Sequence, residues 1–160
     1  MPESDGVAML RHTLATLAYR AAKVLRDAPE AFANYRASPG TRTPGRILAH
    51  MGDLFDWALN LADGRYVWHD STALPWDEEA ARFFAALEAF DRRLASGTPL
   101  GSDAGKLFSG PVADALTHTG QLALLRRMFG SPVRGENYFK AQIEVGSVGP
   151  DQADPVVEFE

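Results

Sequence analysis

The chain contains no cysteine. Disulfides are therefore excluded, and so is a thiolate nucleophile or thiolate metal ligand supplied by the protein. A metal held here must use nitrogen and oxygen donors, which disfavours Cu(I) and iron–sulfur clusters and leaves Zn, Ni, Mn or Fe. A basic run is also missing. The 16 Lys and Arg are scattered among 21 Asp and Glu, for a net charge of −5. Without a stripe that neutralises phosphates, nucleic-acid binding is not expected. No apolar stretch approaches the ~20 residues that span a bilayer, so no membrane span is expected either. The opening MPESDGVAML is acidic ahead of its first apolar residues, unlike a secretory signal. Together with the missing cysteine, this leads to an expected cytoplasmic location.

What is present is a globular composition, 46% hydrophobic and 23% charged, at a length for which one domain, residues 1–160, is the default. Four segments carry helical periodicity. In residues 4–28, Val7, Leu10, Leu14, Leu17, Ala18, Ala21, Val24 and Leu25 recur at steps of three and four, with Ser4 or Asp5 as cap. His12 lies off that stripe and reads as solvent-facing or packed. The second helix, residues 43–63, starts with Thr43 as N-cap and Pro44 at the first helical position, and stops at Gly64. The third, residues 77–96, is capped by Asp77. It carries the stripe Phe83, Phe84, Leu87, Phe90 and Leu94, with no inward titratable group expected. The fourth, residues 110–129, opens at Gly110 and Pro111 and stops at Gly130, after a possible helical turn near Lys106 and Leu107.

Between helices two and three, GRYVWHDSTALPW (64–76) is long and aromatic for a connection. Tyr66, Trp68 and Trp76 are not all expected at the surface, while His69 reads as a surface residue. Residues 131–160 are too short for their own core and are expected to pack back on the helices as an irregular extension. Ile143, Val145, Val148 and the Pro155–Phe159 segment hint at extended structure. The whole reads as an all-α four-helix bundle, an architecture that builds metal sites from inward side chains on facing helices.

The residues that carry chemistry cluster on helices two and four. Asp114 and His118 are four apart and share one helix face, with Gln121 at the next turn. On helix two, His50 falls inside the apolar arc of Ile47, Met51 and Leu54. A buried imidazole needs partners, so His50 is either a hydrogen-bonded core residue or a ligand. Asp53, one turn on, either orients that ring or faces solvent. Gly120 stands mid-helix at a cost of about 1 kcal/mol relative to alanine, which suggests close approach of another backbone.

Three stretches, ILAHMGDLFDWAL (47–59), DALTHTGQLALLRRM (114–128) and GSPVRGENYFKAQIEVGSVG (130–149), resemble the DinB/YfiT-like family over roughly residues 5–145. The resemblance implies a four-helix bundle with a divalent metal on three side chains, one from helix two and two from helix four. By position these are His50, Asp114 and His118. Gly120 and Gln121 follow His118 as the family motif requires. Asp114 departs from the usual third histidine, and a carboxylate favours harder metals than a third imidazole would. Zn or Ni come first, Mn or Fe next. Gln121 and Asp53 are the supporting residues around the ligands. Glu136 and Asn137 either fold over the site or form a capped loop.

The same resemblance implies a metal-dependent transferase, isomerase or hydrolase using a small thiol cosubstrate, and a homodimer. The alternatives are a non-catalytic metal-binding or stress-associated bundle, and a purely structural bundle in which His50, Asp114 and His118 only bond to one another.

Overall fold

The structure is a computed structural model that describes residues 4–160. Met1, Pro2 and Glu3, which open the acidic N-terminal stretch, lie outside the described residues. Four long helices form the bundle: α1 (Asp5–Leu25), α2 (Pro44–Ala62), α3 (Trp76–Ala95) and α5 (Ala113–Phe129), with a short α4 (Ala104–Leu107) before the last. The expected all-α four-helix bundle with a short extension is what forms. Its centre is sealed by Leu14, Leu17, Met51, Phe55, Phe83, Leu87, Phe90 and Leu122, none of which reaches solvent. No helix among the described residues is long and apolar enough to cross a membrane.

The helix starts follow local chemistry. Ser4 Oγ accepts from the Val7 N–H, and Thr43 Oγ from the Arg46 N–H, each at 3.3 Å. Each satisfies an N–H that the helix itself leaves unpaired. The end of α1 is decided elsewhere. Arg126 of α5 is 4% exposed. Its guanidinium donates to the carbonyls of Val24, Arg26 and Asp27 at 3.0, 2.7 and 3.4 Å. Two more bonds reach Ser131. A cation at the negative pole of α1 thus stops that helix at Leu25, short of the expected residue 28. Burial holds the Arg126 pKa below its ordinary value.

Two expectations for helix starts are corrected. Asp77 does not cap α3; the cap position is Pro75, and the helix begins at Trp76. Trp76 is buried, its indole N–H donating to Leu25 O at 3.4 Å, which draws the first turn inward. The Glu79 carboxylate then accepts the Leu74 N–H at 2.8 Å. The last helix does not open at Gly110 either. The chain is helical from Ala104, with Asp103 as cap, and passes Pro111 through a widened turn at Phe108–Val112. Proline lacks the N–H for an ordinary turn and collides with the carbonyl four residues back, and the wider turn relieves both.

α3 also carries inward charge, contrary to expectation. Glu79 is fully buried and Asp91 nearly so. Each is tied to an arginine: Glu79 to Arg82 at 2.6 Å, and Asp91 to Arg11 of α1 at 3.0 Å. One of these partners comes from another helix, which periodicity along α3 cannot reveal.

The extension packs back as expected. A two-residue strand, Gly135–Glu136, pairs antiparallel with Glu158–Phe159. Val148 joins the core, while Val145 stays exposed. Of the aromatic connection, Trp76 is buried, Trp68 is 37% exposed and Tyr66 79%. His12 is exposed. Around Gly120 nothing lies within 4 Å of where a Cβ would sit, so the close backbone approach expected there is not made within this chain.

Candidate metal centre

α2 and α5 pack side by side, which brings His50 opposite the Asp114/His118 turn. His50 Nε2 lies 3.2 Å from Asp114 Oδ2, and His118 Nε2 lies 3.4 Å from the same oxygen. The rings of the two histidines meet edge-on, with centroids 4.9 Å apart. Donor atoms of all three residues lie within 4.8 Å of one another. Donor–metal bonds of about 2.0–2.2 Å imply donor–donor edges of roughly 3–3.5 Å, so the two measured separations fit a coordination shell.

Gln121 sharpens this arrangement. Its side-chain oxygen accepts from His118 Nδ1 at 2.7 Å. An amide oxygen can only accept, so the proton sits on Nδ1. In neutral His118 this leaves a lone pair on Nε2, aimed at a carboxylate oxygen. Two electron-rich atoms facing each other are stabilised by a cation or a proton between them. Holding the outer ring nitrogen is also what supporting residues do around metal-ligating histidines.

Asp53 does not take the part expected of it. Its buried carboxylate accepts from Ser71 N–H and Oγ at 2.8 and 2.6 Å and from Arg82 at 3.2 Å, and makes no hydrogen bond to His50 among the described residues. Asp53 belongs instead to a second group with Asp56 and His69, whose Nε2 stands 3.2 and 3.4 Å from the two carboxylates. The group escapes sequence reasoning because His69 lies in a connection and reads as a surface residue. The Asp53/Asp56 pair, one turn apart on a helix, is the signal that could have found it.

This second group is less suited to a metal. The Arg82 guanidinium already bonds Asp53, Asp56 and Glu79 and the Ala49 carbonyl. A metal ion would have to share those carboxylates with a fixed positive charge. Burial, against the lowering effect of Arg82 and His69, raises the Asp56 pKa above its ordinary value. Gly52 makes room for this arginine, since a Cβ there would stand 2.8 Å from the guanidinium carbon. The network fastens the 64–75 connection to α2 and α3. Trp68 of that connection consequently packs edge-on to His50, with centroids 5.5 Å apart.

Glu136 does not fold over His50, Asp114 and His118. It is buried against α1, where it accepts from Tyr19 Oη and, at 2.8 Å, from Lys23. Beside this group opens a cavity of about 750 Å³, with His50, Asp114, His118 and Gln121 in its lining. A second cavity of similar volume also reaches His50 and Arg42 and extends toward Arg46, Asp53 and Ser71.

Fold and site together define a class: an all-α bundle with a histidine–carboxylate group of metal-ligating character next to an open cavity. Comparison with known proteins yields no match to a family model, a curated protein or a solved structure.

Proposed function

We propose that this chain is a divalent-metal-dependent protein of DinB/YfiT-like type, with His50, Asp114 and His118 as the ligands and a small-molecule reaction carried out in the adjoining cavity. One observation carries the reading: the Nε2 atoms of two histidines converge on one oxygen of Asp114, while Gln121 holds the proton of His118 on the other ring nitrogen. The donor set of two imidazoles and one carboxylate suits Zn or Ni first, then Mn or Fe. When bound, the ion supplies Lewis acidity toward a heteroatom of substrate or cosubstrate.

The protein's own part is to orient and to shelter. Gln121 fixes the His118 tautomer, and Trp68 covers one edge of His50. The cavity gives access from the side on which Asp114 is 44% exposed. The cosubstrate is a small thiol, which would bring the soft donor that a chain without cysteine cannot supply. A homodimer belongs to the same proposal.

A metal-free reading has one observation in its favour. The His50–Asp114 contact at 3.2 Å is also a serviceable hydrogen bond. Zinc titration of untagged protein separates the readings. One equivalent bound in wild type and lost in His118→Ala supports the metal centre. No zinc bound by the wild type leaves the triad a structural feature.

A further inference from the structure

The cavity beside the ligands is chemically lopsided. Its long wall is apolar, formed by Ile47 of α2 and by Leu124, Leu125 and Met128 of α5. Leu124 and Met128 are 58% and 52% exposed, so this wall has no cover within the chain. At the cavity rim stands Arg42, the only cationic side chain in the lining apart from the histidines. Arg42 is exposed and takes part in no hydrogen bond or ion pair among the described residues. The other arginines near this end are engaged or lie outside the cavity. Arg36 donates to the Thr41 carbonyl at 3.2 Å, shaping the loop that carries Arg42, and Arg46 lines the second cavity only together with Arg42.

We infer that the cavity binds a monoanionic amphipathic carboxylate, with its apolar body along Ile47, Leu124, Leu125 and Met128 and its carboxylate on Arg42. The inference rests on reading this cavity as the chamber served by the proposed metal centre, and it adds the substrate class. A guanidinium offers paired donors that match a carboxylate. Among the described residues Arg42 is the one arginine or lysine lining this cavity, and a single guanidinium matches one negative charge at that end. A cavity of about 750 Å³ lies within the usual range for small-molecule sites, which are mostly apolar with a few placed polar groups.

The dimensions set the ligand's length. From Pro44, the first residue of α2, to His50 is six residues, about 9 Å at 1.5 Å per residue, and Arg42 stands two residues before that start. The apolar wall from His118 to Met128 runs ten residues, about 15 Å on the same basis. A molecule of roughly eight to ten chain atoms can therefore touch Arg42 at one end and reach the metal ligands with the other.

The test uses the full-length protein, as purified and again after chelator treatment, with octanoate, 1-octanol and octyl phosphate as probes in calorimetric titrations. Octanoate is expected to bind at least tenfold tighter than 1-octanol in both preparations. In Arg42→Gln that preference falls to twofold or less while 1-octanol binding persists, which shows that the variant is folded. Arg46→Gln keeps the preference, and Leu124→Asn weakens octanoate and 1-octanol alike. The inference is overturned if octanoate binds no tighter than 1-octanol, if the preference survives Arg42→Gln, or if octyl phosphate binds tenfold tighter than octanoate. A preference present only before chelation also overturns it, because the carboxylate would then sit on the metal. Zinc stoichiometry of the same samples reports on the metal centre separately, so the two proposals can fail independently.

Discussion

His118 donates a hydrogen bond from its Nδ1–H to the side-chain oxygen of Gln121, one turn further along α5, at 2.7 Å. The bond fixes which nitrogen of His118 faces Asp114. Its removal frees the ring to rotate or to change tautomer without touching a ligand atom. In Gln121→Ala, zinc affinity should fall about 10- to 100-fold while stoichiometry stays at one. Competition against a chromophoric chelator measures this. Unchanged affinity would show that Gln121 has no part in holding the ligand.

Asp114 offers the one carboxylate of the triad, and both histidines lean on the same oxygen of it. Replacing it by histidine removes a negative charge and a hard donor. Asp114→His should move selectivity toward Zn and Ni and away from Mn, by roughly tenfold in relative affinity. Asp114→Asn should weaken all of these metals. Equal preference in wild type and Asp114→His would mean that the carboxylate does not tune the metal.

Arg82 neutralises three carboxylates, of which Glu79 and Asp53 are 0% and 3% exposed at the side chain. Arg82→Leu leaves them buried without their cation. The expected loss is about 3–5 kcal/mol, the range for breaking a buried pair on one side. At roughly 2–4 °C per kcal/mol for a chain of this size, the melting temperature should drop by at least about 6 °C. A change within 2 °C would show that the network contributes little.

The clasp between α1 and the extension predicts a dependence on alkaline pH. Burial first, then the hydrogen bond and charge of Glu136, raises the Tyr19 pKa well above its ordinary value. For Lys23, burial works against the charge, but hydrogen bonds to Glu136 and Glu158 outweigh it, and its pKa is raised as well. A raised pKa means that the folded state holds its proton more tightly than the unfolded chain. The stabilisation is therefore complete below about pH 10, where both groups are protonated in either state. It declines progressively once pH passes the ordinary values of 10.0 for Tyr19 and 10.5 for Lys23, and is gone above the folded-state values. Proteolysis within residues 137–157 should accelerate between about pH 10 and 11.5 in wild type. In Glu136→Gln cleavage should already be fast at pH 8 and should vary less with pH. A flat wild-type profile would remove this role for the clasp.

The sequence by itself determined the parts that depend on neighbours along the chain. Apolar spacing placed α1, α2 and α3 to within a few residues, because a helix that buries one face must repeat that face every three or four residues. Thr43–Pro44 and Gly130 marked helix ends for the same local reason. The Asp114/His118/Gln121 face was legible too, since one helical turn fixes those distances. Only the tertiary structure decided what crosses between segments. It brought His50 to within 3.2 Å of Asp114, 64 residues away. It turned Asp53 toward Ser71 and Arg82 instead of His50. It ended α1 with an arginine from α5, and it placed Glu136 on Tyr19 and Lys23, away from His50, Asp114 and His118. Each of these is a charged or polar side chain choosing a partner. That choice is made by burial and by distance through space, neither of which is written in residue spacing.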